Sequence, residues 1–551
     1  MDMKISVAQL NYTIGDFEKN RDLICKAINK AKDDGSELIV FSELCVPGYP
    51  PLDFLDRKDF IEKCNRTVAE ISAECTGIAA IVGSPTLNSN PGGKKLYNSA
   101  LVLSEGKVIF TAHKALLPTY DIFDEYRYFE PARNFSVFSF KGLKLAITIC
   151  EDLWDEQPFD NEFEKSRLYT ISPSDELAKQ KPAIFINISA SPFSYTKIES
   201  KENIFKAKAL KYHLPVIMTN QVGANTELIF EGASIIVNRE GETVDMLPFF
   251  EESVRTYSFD EINSGKRNSH KIPDTTGLMH DALVTGIRDY FSKTGFRSGI
   301  LGLSGGIDSA VAVCLAVEAL GNSNMRVLMM PSKYSSEHSV TDAVALAKRL
   351  DVRYDIVNIG KPFTAFESIL EPLFKGEPAN VAEENIQARV RAVLLMAMTN
   401  KFGCILLNTS NKSEAAVGYG TLYGDMAGGL SIIGDVYKTD IYRLAGYINR
   451  DSEIIPANII SKLPSAELRP NQLDTDSLPD YSILDAILYK YIELQKPVDS
   501  IISEGADRET VLRVIRMINS NEYKRYQTPP ILRISSKAFG AGRRMPLAAR
   551  Y

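Results

Sequence analysis

Short apolar runs separated by polar or glycine-bearing turns dominate the first half of the chain. KISVAQLNY, ELIVFSE, IAAIVGS, SALVLS, KLAITIC, AIFINIS, PVIMTNQ and SIIVNRE each have strand length and turn residues on their flanks, which predicts strands. IAAIVGS and AIFINIS are apolar at successive positions, as expected of strands covered on both faces. Between the runs, FEKNRDLICKAINKAKDDG and SKENIFKAKALKYH repeat apolar residues at helical spacing. Strands alternating with helices predict an α/β architecture. In SALVLSEGKVIFTAHK, S-E-G-K reads as a hairpin turn, so this sheet is expected to be mixed rather than wholly parallel.

Around residues 255–275 the periodicity lapses. SFDEINSGKRNSHKIPDTTG is polar and carries Gly and Pro, and it reads as a linker. A second series follows: helix 277–293, strand 298–303, helix 307–320, strand 326–330, helix 336–350, strand 353–358, then the helix NIQARVRAVLLMAMTNKFG and the strand CILLNTS. This order predicts a doubly wound parallel sheet with a ligand site beyond the strand C-termini. Helices and loops dominate from about residue 440. Two domains are expected, 1–262 and 263–551, as the 551-residue length requires. No solenoid repeat is visible.

Composition narrows the function. A hydrophobic fraction of 44% and a charged fraction of 24% suit a soluble globular protein. The net charge of -7 speaks against nucleic acid as a partner. No run is long and apolar enough to span a membrane, and no basic stretch leads into an apolar one at the N-terminus, so no signal peptide is expected. Seven cysteines without a C-x-x-C pair point to reduced thiols in a cytoplasm. The five histidines are scattered.

Two stretches carry chemistry. In GILGLSGGIDSA an apolar strand runs into Gly305 and Gly306 and then into a helix opened by Asp308 and Ser309. A helix N-terminus offers free N–H groups and partial positive charge to an anion. Asp308 would repel phosphate unless a cation lay between them, which implies Mg²⁺. Upstream, three strands end on reactive groups: Glu43 in LIVFSELCV, Lys114 in IFTAHKALL and Cys150 in AITICEDLW. A thiol, a base to take its proton and a cation for an oxyanion suit nucleophilic catalysis through a tetrahedral intermediate.

The strand followed by S-G-G-x-D-S resembles the PP-loop of ATP pyrophosphatases. That resemblance implies cleavage of ATP between its α- and β-phosphates and adenylation of a substrate oxygen. F-S-E, H-K-A-L-L-P and C-E-D resemble the nitrilase, or carbon–nitrogen hydrolase, family. That family implies an αββα sandwich, with Glu43 as base, Lys114 as oxyanion stabiliser and Cys150 as nucleophile. ENIQARVRAVLLM, NTSNKSEAAVGYGTLYGDMAGGLSIIGDVYKTDIYRLA and EYKRYQTPP look like the synthetase domain of the glutamine-dependent NAD⁺ synthetase family, whose members carry both halves in one chain.

The family implies the remaining assignments. Tyr120, Ser191 and Lys197 match glutamine-binding positions, with Tyr49, Glu125 and Glu151 as pocket neighbours. Gly302, Leu303, Ser304, Gly305, Gly306, Ile307, Asp308, Ser309, Thr409 and Lys438 match ATP contacts. Asn385, Arg389, Glu414 and Lys524 match contacts to nicotinic acid adenine dinucleotide (deamido-NAD), and Asp308 and Glu414 match Mg²⁺ ligands. The partners implied are glutamine, ATP as cosubstrate and deamido-NAD, in a homo-oligomer that is often an octamer. Ammonia would pass between the two sites.

From the residues themselves, Arg389, Lys438 and Lys524 are cations suited to a doubly phosphorylated substrate. Asp425 and Asp435 either shape the nicotinate pocket or cap turns. Trp154 reads as core packing. The segment between Cys150 and Ser191 is longer than the family's usual one. The rival readings are a PP-loop amide synthetase for another acceptor, a tRNA-thiolating enzyme and a pair of inactive domains.

Overall fold

Alternating side chains on two six-stranded sheets build the first half of the molecule. The computed structural model describes residues 3–156, 168–265 and 272–549. Its contacts separate two units, Met1–Ile272 and Pro273–Tyr551.

In the first unit, one sheet runs in the order Ser253–Ser258, Lys4–Gln9, Leu38–Val40, Ala79–Leu87, Leu96–Ser104, Lys107–His113. The other runs Thr243–Met246, Ile235–Val237, Val216–Asn220, Ile184–Ser189, Leu143–Ile149, Phe138–Phe140. Period-two alternation divides each strand between two cores. Ile5, Val7, Leu38, Val40, Ile81 and Val102 meet Ile147, Ile149, Ile186, Ile188 and Ile217 between the sheets. On the outer face of the first sheet, Ile39, Phe41 and Val82 pack with Ile24, Ala27, Ile28 and Ala31 of helix Phe17–Asp33. On the outer face of the second sheet, Phe185, Val216 and Met218 pack with Phe205 and Ala209 of helix Ile198–Tyr212. The layers are therefore helix, sheet, sheet, helix. The expected hairpin is present: Leu96–Ser104 pairs antiparallel with Lys107–His113, and Glu105 and Gly106 both take positive φ, as a type I′ turn requires.

The linker reading of 255–275 needs correction over its first half. Ser253–Ser258 is a strand paired antiparallel with Lys4–Gln9, and Phe259–Ser264 is a helix with a Ser258/Glu261 capping box. The strand lies at a sheet edge and most of it is only half-buried, so polar side chains are tolerated and the apolar signal is weak. Residues 266–271 of that stretch, and 157–167 of the long segment after Cys150, lie outside the described residues.

In the second unit, a five-stranded sheet is parallel throughout, in the order Arg353–Ile356, Met325–Met329, Gly299–Gly302, Ile405–Asn408, Leu430–Ser431. The chain starts in the middle, winds to one edge and then crosses to the other, which puts a switch point at Gly299–Gly302. The predicted helices appear as Thr275–Thr294, Ile307–Leu320, Glu337–Arg349 and Val381–Phe402. The short strand Leu430–Ser431 and the helix Gly360–Phe374 were not among the predicted elements. Among the described residues, no helix is long and apolar enough to cross a membrane.

Candidate active sites

Cys150 directly follows the strand Leu143–Ile149, Lys114 directly follows Lys107–His113, and Glu43 lies just beyond Leu38–Val40. The folded sheets bring these ends together. Lys114 Nζ donates to Glu43 Oε1 at 2.7 Å and to Glu125 Oε1 at 2.9 Å. Tyr49 OH donates to the same Glu125 oxygen at 3.1 Å. Asn98 Nδ2 donates to Glu43 Oε1 at 2.7 Å, and the Ala190 N–H reaches Glu43 Oε2 at 3.1 Å. All these side chains are buried.

Cys150 has φ 45°, a left-handed conformation that a cysteine adopts at some energetic cost. Asp152 holds the turn in place. Its Oδ1 accepts from Ala115 N at 2.9 Å and Leu116 N at 2.8 Å, and its Oδ2 accepts from Ile149 N at 3.2 Å. One carboxylate thereby ties the cysteine turn to the residues just after Lys114. Burial pushes Asp152 up to about 7 against those three N–H groups.

The same burial governs the reactive groups. It raises the Cys150 thiol well above its ordinary value; Glu43 adds to the rise and Lys114 opposes it. It pushes Glu125 up to about 7, against the pull of Lys114 and with the push of Glu43. For Lys114 burial acts downward, but the charges of Glu125 and Glu43 outweigh it and leave the ammonium well above its usual range. The resting site is thus a neutral thiol beside a firmly charged lysine.

Beyond the thiol, Glu151 Oε1 accepts from Tyr120 OH and Tyr169 OH, each at 2.8 Å. Burial raises Glu151, and the two hydroxyls together with Lys114 and Lys197 pull the other way, so Lys197 acts on the same pocket. Ser191 is held through its backbone: its N–H donates to Asn220 Oδ1 at 2.9 Å and its C=O accepts from Asn220 Nδ2 at 3.2 Å. Trp154 packs edge-on against Phe205 at 5.9 Å, as core packing requires. Asn98, Asp152 and Tyr169 were missed in the sequence. Asn98 left one trace there, an amide at a fully buried position of the strand Leu96–Ser104.

In the second unit, the loop after Gly299–Gly302 turns through Gly305 at φ 81°. A Cβ at Gly305 would sit 2.2 Å from Ser339 O, so only glycine fits. Ser304 Oγ lies 3.1 Å from Ser309 Oγ and accepts from Gly306 N at 3.2 Å. Helix Ile307–Leu320 then begins with Asp308 in its first turn. Asp308 Oδ2 lies 2.5 Å from Lys438 Nζ, and Oδ1 accepts from Asn411 Nδ2 at 2.8 Å. Burial and the Asp308 charge raise Glu414 well above the carboxylate range, while Lys438 pulls it down.

These groups line a cavity of about 460 Å³. Gly302, Leu303, Ser304, Gly306, Ile307, Asp308, Ser309, Thr409, Lys438, Asn385, Glu414 and Lys524 are in its wall. Thr421 Oγ1 donates to Asn385 Oδ1 at 2.7 Å, and Lys524 Nζ donates to Gly418 O and Gly420 O at 2.7 and 2.8 Å. Gly305 shapes the loop from behind rather than lining the cavity. Arg389 is exposed and donates from Nε to Leu422 O at 3.2 Å, away from this wall. Arg391 lines the cavity instead. Helical phase explains the exchange: at about 100° per residue, Glu384, Asn385, Ala388, Arg391 and Ala392 share one face and Arg389 falls off its edge.

Asp425 is also in the wall and accepts from Thr421 N at 2.6 Å. Asp435 is a buried bracket. It accepts from Ile534 N and Ser535 N at 2.8 and 2.7 Å and pairs with Lys412 at 2.9 Å.

Among the described residues, no cluster of three or more His, Cys, Asp or Glu could hold a metal ion. Two carboxylates that feel each other's charge, Asp308 and Glu414, beside a phosphate-type loop nevertheless suit Mg²⁺. That ion is usually bound by one or two carboxylates plus phosphates and water.

A carbon–nitrogen hydrolase site on an αββα sandwich, joined to a phosphate-loop site on a parallel sheet, defines an amide-forming enzyme class. The family model for carbon–nitrogen hydrolases matches residues 4–264 and that for NAD synthases matches 279–528. A glutamine-dependent NAD(+) synthetase of Synechocystis is 42% identical over 99% of both chains. One from Thermotoga maritima is 38% identical over 100% of this chain and 99% of its own. The structure of the Acinetobacter baumannii enzyme, in complex with ADP, superposes with TM-score 0.79 at 36% identity over 99% of this chain and 98% of its own. The Cytophaga hutchinsonii structure, at 20% identity and TM-score 0.85, shares the fold over 100% of this chain and 98% of its own. The chain belongs to the glutamine-dependent NAD⁺ synthetase family.

Proposed function

We propose that the chain converts deamido-NAD, ATP and glutamine to NAD⁺, AMP, pyrophosphate and glutamate. The observation that carries this reading is the buried Glu43–Lys114 contact at 2.7 Å beside Cys150, in the same chain as the phosphate-loop cavity.

In the glutaminase half, assigned to residues 1–262, Glu43 takes the Cys150 thiol proton as sulfur attacks the glutamine side-chain carbonyl. Lys114 and a backbone N–H stabilise the oxyanion. The tetrahedral intermediate collapses to a thioester, Glu43 returns its proton to the departing nitrogen, and ammonia leaves. Water then hydrolyses the thioester to glutamate. Glu151 and Lys197 present opposite charges to the amino-acid end of glutamine, alongside Tyr120 and Ser191.

In the synthetase half, assigned to 263–551, backbone N–H groups at the start of helix Ile307–Leu320 and the Lys438 ammonium receive the ATP phosphates. The deamido-NAD carboxylate attacks the α-phosphate and pyrophosphate leaves. Ammonia then attacks the acyl carbon, and AMP departs. Asn385 and Lys524 face the dinucleotide. Asp308 and Glu414 would hold Mg²⁺, which would offset phosphate charge.

The active form is a homo-oligomer on this reading. Apolar side chains exposed on helices Gly360–Phe374 and Val381–Phe402, among them Ile369, Leu373 and Val393, support it, and sedimentation of the purified chain tests it. Cytoplasmic location follows the same reading.

The deciding assay supplies deamido-NAD, ATP, Mg²⁺ and glutamine. NAD⁺ with AMP and pyrophosphate is expected. ADP with orthophosphate contradicts the reading, and turnover with a different carboxylate only would move it to another acceptor.

A further inference from the structure

Asn98 is fully buried in the strand Leu96–Ser104 and touches two members of the triad. Its Nδ2 donates to Glu43 Oε1 at 2.7 Å, and its backbone C=O accepts from Lys114 N at 2.8 Å. Its own Oδ1 is buried with no hydrogen-bond partner among the described residues. A buried amide left half satisfied is a poor packing element, and an apolar residue would fill the same space without an orphaned oxygen. The interaction gained in return is the bond to Glu43.

That bond constrains the base. A carboxylate has about four acceptor directions. On Glu43, Asn98 and Lys114 occupy two at Oε1, and Ala190 N occupies one at Oε2. One direction is left for an arriving proton.

We propose that Asn98 is a positioning residue of the glutaminase: its N–H fixes the rotation of the Glu43 carboxylate, so that the remaining acceptor direction meets the Cys150 thiol. This rests on the reading of Glu43 as the base. Asn98 acts through Glu43, and the substrate need not touch it.

The test uses the full chain and two variants. Asn98→Leu removes the amide. Asn98→Ala removes it as well and adds no bulk to the buried site. For both, glutaminase kcat should fall between about tenfold and a hundredfold, the usual effect of losing a hydrogen bond to a charged group. KM for glutamine should stay within about twofold, and NAD⁺ synthesis from free ammonia should continue at the unmodified rate. A rise in KM with kcat unchanged overturns the proposal, as does wild-type glutamine turnover by Asn98→Ala. If Asn98→Leu also loses ammonia-driven synthesis, it has misfolded and Asn98→Ala decides. An unmodified chain unable to hydrolyse glutamine would defeat the reading of the base itself. An active chain indifferent to both substitutions would defeat only the role of Asn98.

Discussion

Lys114 Nζ lies 2.7 Å from Glu43 Oε1, with neither side chain reaching solvent. Removing two charges from water is expensive, and a buried pair seldom stabilises a fold better than apolar residues would. Here the ammonium is shared with a second carboxylate, Glu125, at 2.8 Å. The arrangement holds positive charge at a fixed point beside a thiol that burial keeps protonated. Such a thiol needs a base at the moment of attack, the role proposed above for Glu43.

Cys150→Ala separates the two nitrogen sources. NAD⁺ formation from glutamine should fall by on the order of a thousandfold or more, since the nucleophile is gone. Formation from high free ammonia should persist. Measuring NAD⁺ from each source decides it, and equal loss from both, in a variant with unchanged circular dichroism, would remove the thiol from the mechanism.

Asp308→Ala should stop synthesis with either nitrogen source. Asp308 engages Lys438 and Asn411, so its loss frees the cation and also removes one carboxylate of the Asp308–Glu414 pair from the phosphate-loop cavity. Pyrophosphate release should drop at least about a hundredfold. Retained adenylation, read as deamido-NAD-dependent pyrophosphate release, would contradict this role.

The Glu125 carboxyl gives a pH signature. Burial raises it from 4.5 to about 7, so the folded state holds this proton more tightly than the unfolded chain does. Its contribution to stability is complete below about 4.5 and is lost as pH rises through about 7. Asp152, raised from 3.8 to about 7, acts in the same sense. The melting temperature of Glu125→Gln should therefore decline less steeply than that of the unmodified chain across this window. Parallel slopes would show that the group does not titrate there.

Lys412 tests the frame of the second unit. It is fully buried, 2.9 Å from Asp435 and 2.8 Å from Glu493, with its ammonium 4.7 Å from the Tyr437 ring centroid. Lys412→Met would leave two carboxylates buried without their cation, at a cost of about 3–5 kcal/mol. Urea unfolding should show the loss, and an unchanged midpoint would mean that water or a rearranged side chain replaces the ammonium.

Much of the architecture was readable because its signals are local. Short apolar runs and period-3.6 patterns located most of the strands and helices of both units, and the glycine pair marked the phosphate loop. Three reactive groups at strand ends pointed to the triad. The edge strand Ser253–Ser258 was read as linker because an edge needs no continuous apolar run. The exchange of Arg389 for Arg391 in the cavity wall needed only helical phase, and that information was present in the spacing of Asn385, Ala388 and Ala392.

By itself the sequence determined which residues can react and which local elements carry them, because strand ends, glycine turns and helix starts are encoded over a few neighbouring positions. Tertiary structure alone decided that Asn98 meets Glu43, that Asp152 ties the cysteine turn to the residues after Lys114, and that Asp435 braces Lys412 rather than facing a substrate. Those contacts join positions 55, 36 and 23 residues apart. They depend on strand register and on which face each element buries, and no local pattern records either.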